Sequence, residues 1–186
     1  MSSPNRPTLI SGGHKGAEAE FGRAAKRWEI EQTTLSFAGH SMEWPVNVRV
    51  LSADELAAGD VSMEIVSKRM GRTYHQADLI RRVTQSLFHM VNPAYQIFAI
   101  GWIQPDDTVK GGTGWGVELA KLFNRSLHVF DQGRNEWFTW RDGHWIPDSP
   151  SIGEKIFAGT GTRNLTDEGR AAIAALFERA FGPAKH

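Results

Sequence analysis

The chain has 186 residues with 21 basic and 21 acidic side chains, a formal net charge of zero, which argues against a nucleic-acid partner because polyanion-binding domains carry a basic excess. It contains no cysteine, and this excludes disulfides, thiolate catalysis and cysteine-held zinc. Its length suits one domain over residues 1–186 with a sizeable core, and no apolar run approaches the roughly 20 residues of a membrane helix. Met1 to Arg6 is polar and lacks the apolar stretch of a signal peptide. The expectation is a soluble, cytoplasmic protein with no membrane partner.

In chain order, Thr8–Ser11 is a short apolar run ending in Gly12-Gly13, the pattern of a buried strand entering a turn. A helix follows, with Phe21, Ala24, Ala25 and Trp28 on one face. Thr33–Phe37 is rich in β-formers and predicts a second strand, Gly39–Pro45 a loop, and Val46–Leu51 a short edge strand. Ser52–Gly59 and Asp60–Met70 read as helices. Gln76–Val91 is the clearest helix of the middle section, stopped by Asn92-Pro93. Tyr95–Trp102 is nearly continuous apolar sequence, as in a parallel strand covered on both faces. After the polar loop Pro105–Lys110 comes a glycine-rich loop, then a helix over Val117–Phe123 and a core strand over Ser126–Phe130. Glu136–Ile146 predicts a tryptophan-rich hairpin around Asp142-Gly143. Lys155–Ala158 is the last strand, and Thr166 caps a final helix whose face is Ile173, Leu176, Phe177, Ala180 and Phe181.

Strands alternating with helices predict an α/β fold: a single Rossmann-like, doubly wound, mostly parallel sheet with helices on both faces and a tryptophan-rich β-hairpin insertion. Three strand ends open into small or glycine-rich turns before a helix: Ser11-Gly12-Gly13-His14-Lys15-Gly16, Gly111 to Gly116, and Gly159 to Arg163. In an open α/β sheet such turns share one edge, where ligands bind. Glycines let backbone N–H groups approach a phosphate, and a helix N-terminus adds donors and partial positive charge. A phosphorylated small molecule is therefore the expected partner. Its candidate contacts are Gly12, Gly13, His14, Lys15, Gly16, Gly111, Gly112, Thr113, Gly114, Trp115, Gly116, Asp131, Gly159, Thr160 and Arg163.

The middle loop, Gly111-Gly112-Thr113-Gly114-Trp115-Gly116-Val117-Glu118, fits G-G-x-G-x-x-x-E and resembles the phosphate loop of the Lonely Guy phosphoribohydrolases, formerly labelled lysine decarboxylases. Trp115 stands where that family usually has threonine. The first loop, Ile10 to Glu18, resembles the opening S-G-G-x-x-G-x-[DE] of the bacterial molybdenum-cofactor carrier proteins, and Gly159 to Arg163 resembles their closing turn. These resemblances imply a Rossmann-like superfamily member binding a nucleotide or a molybdopterin-type ligand, as a homodimer or larger homo-oligomer. They also imply that Glu118 acts near a ribose, with an arginine from the helix before the central strand. Arg82, beside Arg81, is the nearest candidate for that arginine, although its distance to the strand is too long; Arg69 and Arg72 are further candidates.

Each candidate also has a plainer reading. Glu118 serves equally as a first-turn acid facing the helix dipole, Lys15 as a solvated turn lysine, and Asp131 as a turn cap. Trp115 could stack on a ring, while Trp137, Trp140 and Trp145 belong to the hairpin. The seven histidines, His75 among them, lack metal-ligand spacing, so no metal is expected, and no nucleophile elbow is present. Three functions follow: a carrier, sensor or sequestering protein for a phosphorylated nucleotide or nucleotide-derived ligand; a phosphoribohydrolase using Glu118 and Arg82; or an interaction subunit with a vestigial site.

Overall fold

The computed structural model describes residues 6–74 and 77–185; His75 and the helix start expected at Gln76 lie outside them. The strands are β1 (Thr8–Ser11), β2 (Glu31–Ser36), β3 (Val48–Val50), β4 (Gln96–Gly101), β5 (Ser126–Asp131), β6 (Glu136–Arg141), β7 (His144–Pro147) and β8 (Ile156–Gly161). They form one open sheet in the order β3-β2-β1-β8-β4-β5-β6-β7. The first six in that order run parallel, and β6 and β7 join antiparallel at one edge. The helices are α1 (Ala17–Arg27), α2 (Ala53–Ala57), α3 (Asp60–Met70), α4 (Asp78–Val91), α5 (Thr113–Leu122) and α6 (Asp167–Phe181). This is the expected doubly wound α/β fold. Among the described residues, no helix is long and apolar enough to cross a membrane.

The period-2 alternation of a strand divides the core into two layers. On β4, Ile97 and Ala99 face α3, α4 and α5, while Phe98 and Ile100 face α1 and α6; all four are fully buried. The small face of α1 (Ala17, Ala24 and Ala25) lets Phe21 reach the sheet, where its ring lies against Gly159. Burying such a ring contributes roughly 1.5–3 kcal/mol relative to leaving it exposed. Thr166 caps α6 by accepting from the N–H of Gly169, as the sequence predicts. The hairpin also forms as expected. Asp142 and Gly143 both take positive φ, 50° and 77°, the pattern of a tight primed turn, and the rings of Trp140 and Trp145 meet across it at 5.0 Å. Edge strand β3 is exposed at all three residues.

Two boundaries differ from the sequence expectation by three residues or more. Helix α5 starts at Thr113 rather than Val117, because Gly112 already has helical angles (φ −62°, ψ −31°). Gly114, Trp115 and Gly116 are therefore helix residues, not loop. Gly114 is there for packing: a Cβ on it would lie 2.1 Å from the carbonyl oxygen of Val109. Strand β8 runs on to Gly161 instead of ending at Ala158, because β4 pairs with it throughout, from Gln96↔Phe157 to Ile100↔Gly161. Gly159 and Thr160 thus belong to a central strand, and the turn begins after Gly161.

The two glycines of the G-G-x-G run should respond oppositely to alanine. Gly112→Ala meets open space in a helical conformation and should hold stability or raise it by up to about 1 kcal/mol. Gly114→Ala forces backbone apart and should cost about 1–3 kcal/mol. Urea denaturation of the two variants beside the parent measures both; equal midpoints would contradict the assignment.

Candidate functional site

The carboxyl ends of β2, β1, β8 and β4 border a cleft of about 360 Å³. Chain direction explains its position. From β1 the chain steps outward through β2 to β3, then returns on the far side of β8 with β4, and diverging connections leave a crevice at such a reversal. The β2 end contributes Leu35, Phe37 and His40, and α4 adds Val83, Ser86, Leu87 and Met90. The β1 turn contributes Gly12 and His14, with Glu18 from the first turn of α1. From β8 and its turn come Thr160, Gly161, Thr162, Arg163 and Asn164; from the β4 connection come Trp102, Lys110, Gly111, Gly112 and Thr113.

The polar end is a backbone cradle. Gly111 takes φ +72°, which turns the chain into α5. Among the described residues, no protein acceptor meets the N–H groups of Gly111, Gly112 and Thr113, while the next two, Gly114 and Trp115, bond back to the carbonyls of Gly111 and Gly112. Arg72 fixes the turn from outside: its guanidinium donates to the carbonyl of Gly111 (2.8 Å) and that of Val109 (3.1 Å). Lys110 has its ammonium 5.8 Å from the Trp102 ring. Lys110 therefore stands next to a helix N-terminus with open donors, and Arg163, from the turn after β8, lines the same cleft, an arrangement suited to an anion.

The floor holds an acid. Glu18 accepts hydrogen bonds from the Thr160 hydroxyl (3.0 Å) and from the backbone N–H of His14. Gly12 passes so close that a Cβ there would lie 2.5 Å from Glu18 Oε1. Burial pushes this carboxyl up to about 7 against the opposing pull of those two hydrogen bonds. At the other end, the His40 ring stacks on Phe37 with centroids 4.5 Å apart, and its Nδ1 is 3.1 Å from Ser36 Oγ. Burial, with a smaller contribution from His14, lowers His40 to about 4. At neutral pH it is an uncharged aromatic surface.

The cleft thus unites Gly12, His14, Gly111, Gly112, Thr113, Thr160 and Arg163 from the expected contacts. The others lie elsewhere. Lys15 points to solvent. Gly13 accepts from the N–H groups of Glu43 and Trp44, and Gly16 abuts the Thr162–Arg163 backbone. Gly116 faces Leu87, and Gly159 faces Phe21. Trp115 packs toward Tyr74, their centroids 6.2 Å apart. Asp131 caps Gly133 and pairs with Arg134 at 2.7 Å. Glu118 lies under the hairpin, its carboxylate 3.2 Å from the Lys121 ammonium, which in turn sits over the Trp140 ring. Arg82 donates to the carbonyl of Ala38, and Arg81 pairs with Asp60.

The cleft's acid is therefore Glu18, and its tryptophan is Trp102. Glu18 had a visible signal, the acid closing the S-G-G-x-x-G-x-[DE] pattern. Phe37 and His40 had none, since they follow a strand end with no glycine motif. Among the described residues, no group of three or more His, Asp or Glu side chains is placed to hold a metal ion.

No known family profile matches the chain, and no curated protein matches it in sequence. Among solved structures it is similar in fold to the "putative molybdenum carrier protein" of Syntrophus aciditrophicus SB, with a TM-score of 0.52 over 94% of each chain at 14% sequence identity. At that identity the likeness is one of fold: an open α/β sheet of the Rossmann-like kind.

A carboxyl whose pKa is raised on folding contributes stability below its unfolded value, and that contribution fades as pH rises through the folded value. For Glu18 the window runs from about 4.5 to about 7. Glu18→Gln should remove this part of the pH dependence, so that the variant gains on the parent by up to about 3 kcal/mol as pH rises from 5 to 8. Melting curves across that range measure the difference; a parallel pair of profiles would contradict the placement.

Proposed function

We propose that the cleft binds a phosphorylated nucleotide or nucleotide-derived ligand, a class that includes molybdopterin-type cofactors, in a carrier, sensor or sequestering role. The observation that carries this reading is the pairing of Lys110 with the open N–H groups of Gly111, Gly112 and Thr113 on the β4 side of a cleft that Arg163 also lines and whose β2 side is apolar and aromatic. A phosphorylated ring compound uses both sides of such a cleft, its ring on the apolar lining and its phosphate on the few placed polar groups. The fold relative is named as a molybdenum carrier, which suits a holding role. The hydrolytic alternative draws no support from the site, because neither member of the pair it would use lines the cleft: Glu118 pairs with Lys121, and Arg82 donates to the carbonyl of Ala38.

Gly112→Asp tests the reading with little risk to the fold, since a side chain at this position meets open space. It places a carboxylate at the anion end. Nucleoside monophosphates, or a molybdopterin ligand, at 100 times the dissociation constant should stabilise the parent by about 2.7 kcal/mol, a rise of roughly 5–10 °C in melting temperature. The Asp variant should melt like the parent without ligand and show no rise with it. Release of free base from the monophosphates, measured in the same samples, would instead favour the hydrolase. No rise with any of these ligands would remove the proposal.

A further inference from the structure

The order of strands sets the order of chemistry along the cleft. Reading across the sheet, β2 brings the stacked Phe37–His40 pair, β1 and β8 bring Glu18 and Thr160, and β4 brings Lys110 and the N-terminus of α5. Adjacent strands are about 4.8 Å apart, so β2 and β4 are separated by about 14 Å. A ring, a sugar and a phosphate laid in line fill such a span in that sequence. The phosphate end and the aromatic end each have an obvious occupant. Among the residues that β1, β8 and their turns bring to the middle, Glu18 is the one carboxyl.

Resting on the binding reading above, we propose that Glu18 determines specificity for the sugar: it accepts a hydrogen bond from a ring hydroxyl of a ribonucleotide-type ligand whose base lies on Phe37–His40 and whose phosphate lies at Lys110 and Gly111–Thr113. Glu18 Oε2 already takes the Thr160 hydroxyl, and His14 N–H meets the same carboxylate. These contacts come from the turn after β1 and from β8, and hold the group in one orientation. The residue is half-buried and is among those that line the cavity. Gly12 contributes by absence, because any side chain there would displace the carboxylate. A purely structural acid would gain nothing from facing the cleft. A carboxylate acceptor that is already oriented and partly desolvated discriminates against a ligand lacking the hydroxyl, since the missing donor leaves its oxygen without a partner.

The test is a binding comparison of AMP, its 2′-deoxy and 3′-deoxy forms and inorganic phosphate, by calorimetry on the whole chain. The parent should bind AMP about tenfold or more tighter than at least one of the two deoxy forms. In Glu18→Leu that ratio should fall close to one, with Glu18→Gln intermediate because its amide oxygen still accepts. Inorganic phosphate, held at the other end, should bind all three proteins alike. Should the leucine variant fail to give a cooperative melt, Glu18→Gln and Thr160→Val, which releases the carboxyl from its orienting donor, decide the matter by the same ratio. If the parent binds AMP and both deoxy forms equally, or the variants keep the full ratio, the role of Glu18 is overturned while the binding reading stands. If neither phosphate nor any nucleotide binds, both fall together.

Discussion

Strand β8 is the last strand of the chain, yet it lies in the middle of the sheet, hydrogen-bonded to β1 on one side and β4 on the other. This insertion brings the three turn-bearing strand ends side by side. Without it, the turns after β1 and β4 would belong to two separate half-sheets. The requirement explains the composition of β8, which is Ile-Phe-Ala-Gly-Thr-Gly. Phe157 and Ala158 face the two cores, Gly159 makes room for Phe21, and Thr160 reaches the acid of the neighbouring connection. One six-residue strand therefore sets core packing and cleft geometry together, and a substitution in it acts on both.

Glu18 shows how the site and the fold draw on the same contacts. Moving a carboxylate out of water is costly, and the Thr160 and His14 donors offset only part of that cost, which is why its proton affinity is raised. A sequence selected for stability alone would tend to place an apolar residue or a freely solvated acid here. His128 is a useful contrast. It is also buried and lowered, to about 4, but it sits within a closed network with Gln96, Ser126 and Thr139, and Thr139 passes on to Asp148. That group lies among partners supplied by the protein; Glu18 faces open space.

The sheet was legible because its period-2 apolar runs and turn signals are local. β4, the Asp142-Gly143 hairpin and the Thr166 cap all follow from neighbouring residues in the chain. The third glycine-rich turn was misplaced because pairing, not propensity, decided where β8 ends: Gly159 and Gly161 read as turn residues, but β4 holds them extended. The same holds for α5, where the four glycines of Gly111–Gly116 suggest a loop, yet the helix begins at Thr113 and Gly114 serves its close approach to Val109. At the site, motif spacing pointed to Gly12, Gly111 and Gly112. It could not show that Glu118 turns toward Lys121, since that depends on two tryptophans from a hairpin more than twenty residues further on. Nor could it bring in Phe37 and His40, whose place depends on the position of α4 over β2.

Arg72 fixes the loop it touches from the segment that follows α3, with two hydrogen bonds to the Val109 and Gly111 carbonyls. The Gly111 carbonyl also accepts from the Gly114 N–H, so the turn is held both from within α5 and from outside. Ordering a loop during association costs free energy that is subtracted from affinity. Here the ordering is completed during folding, so a ligand meets a cradle that already has its shape. An anion that settles on such a loop is spared the cost of arranging the backbone, which favours fast capture as well as slow release.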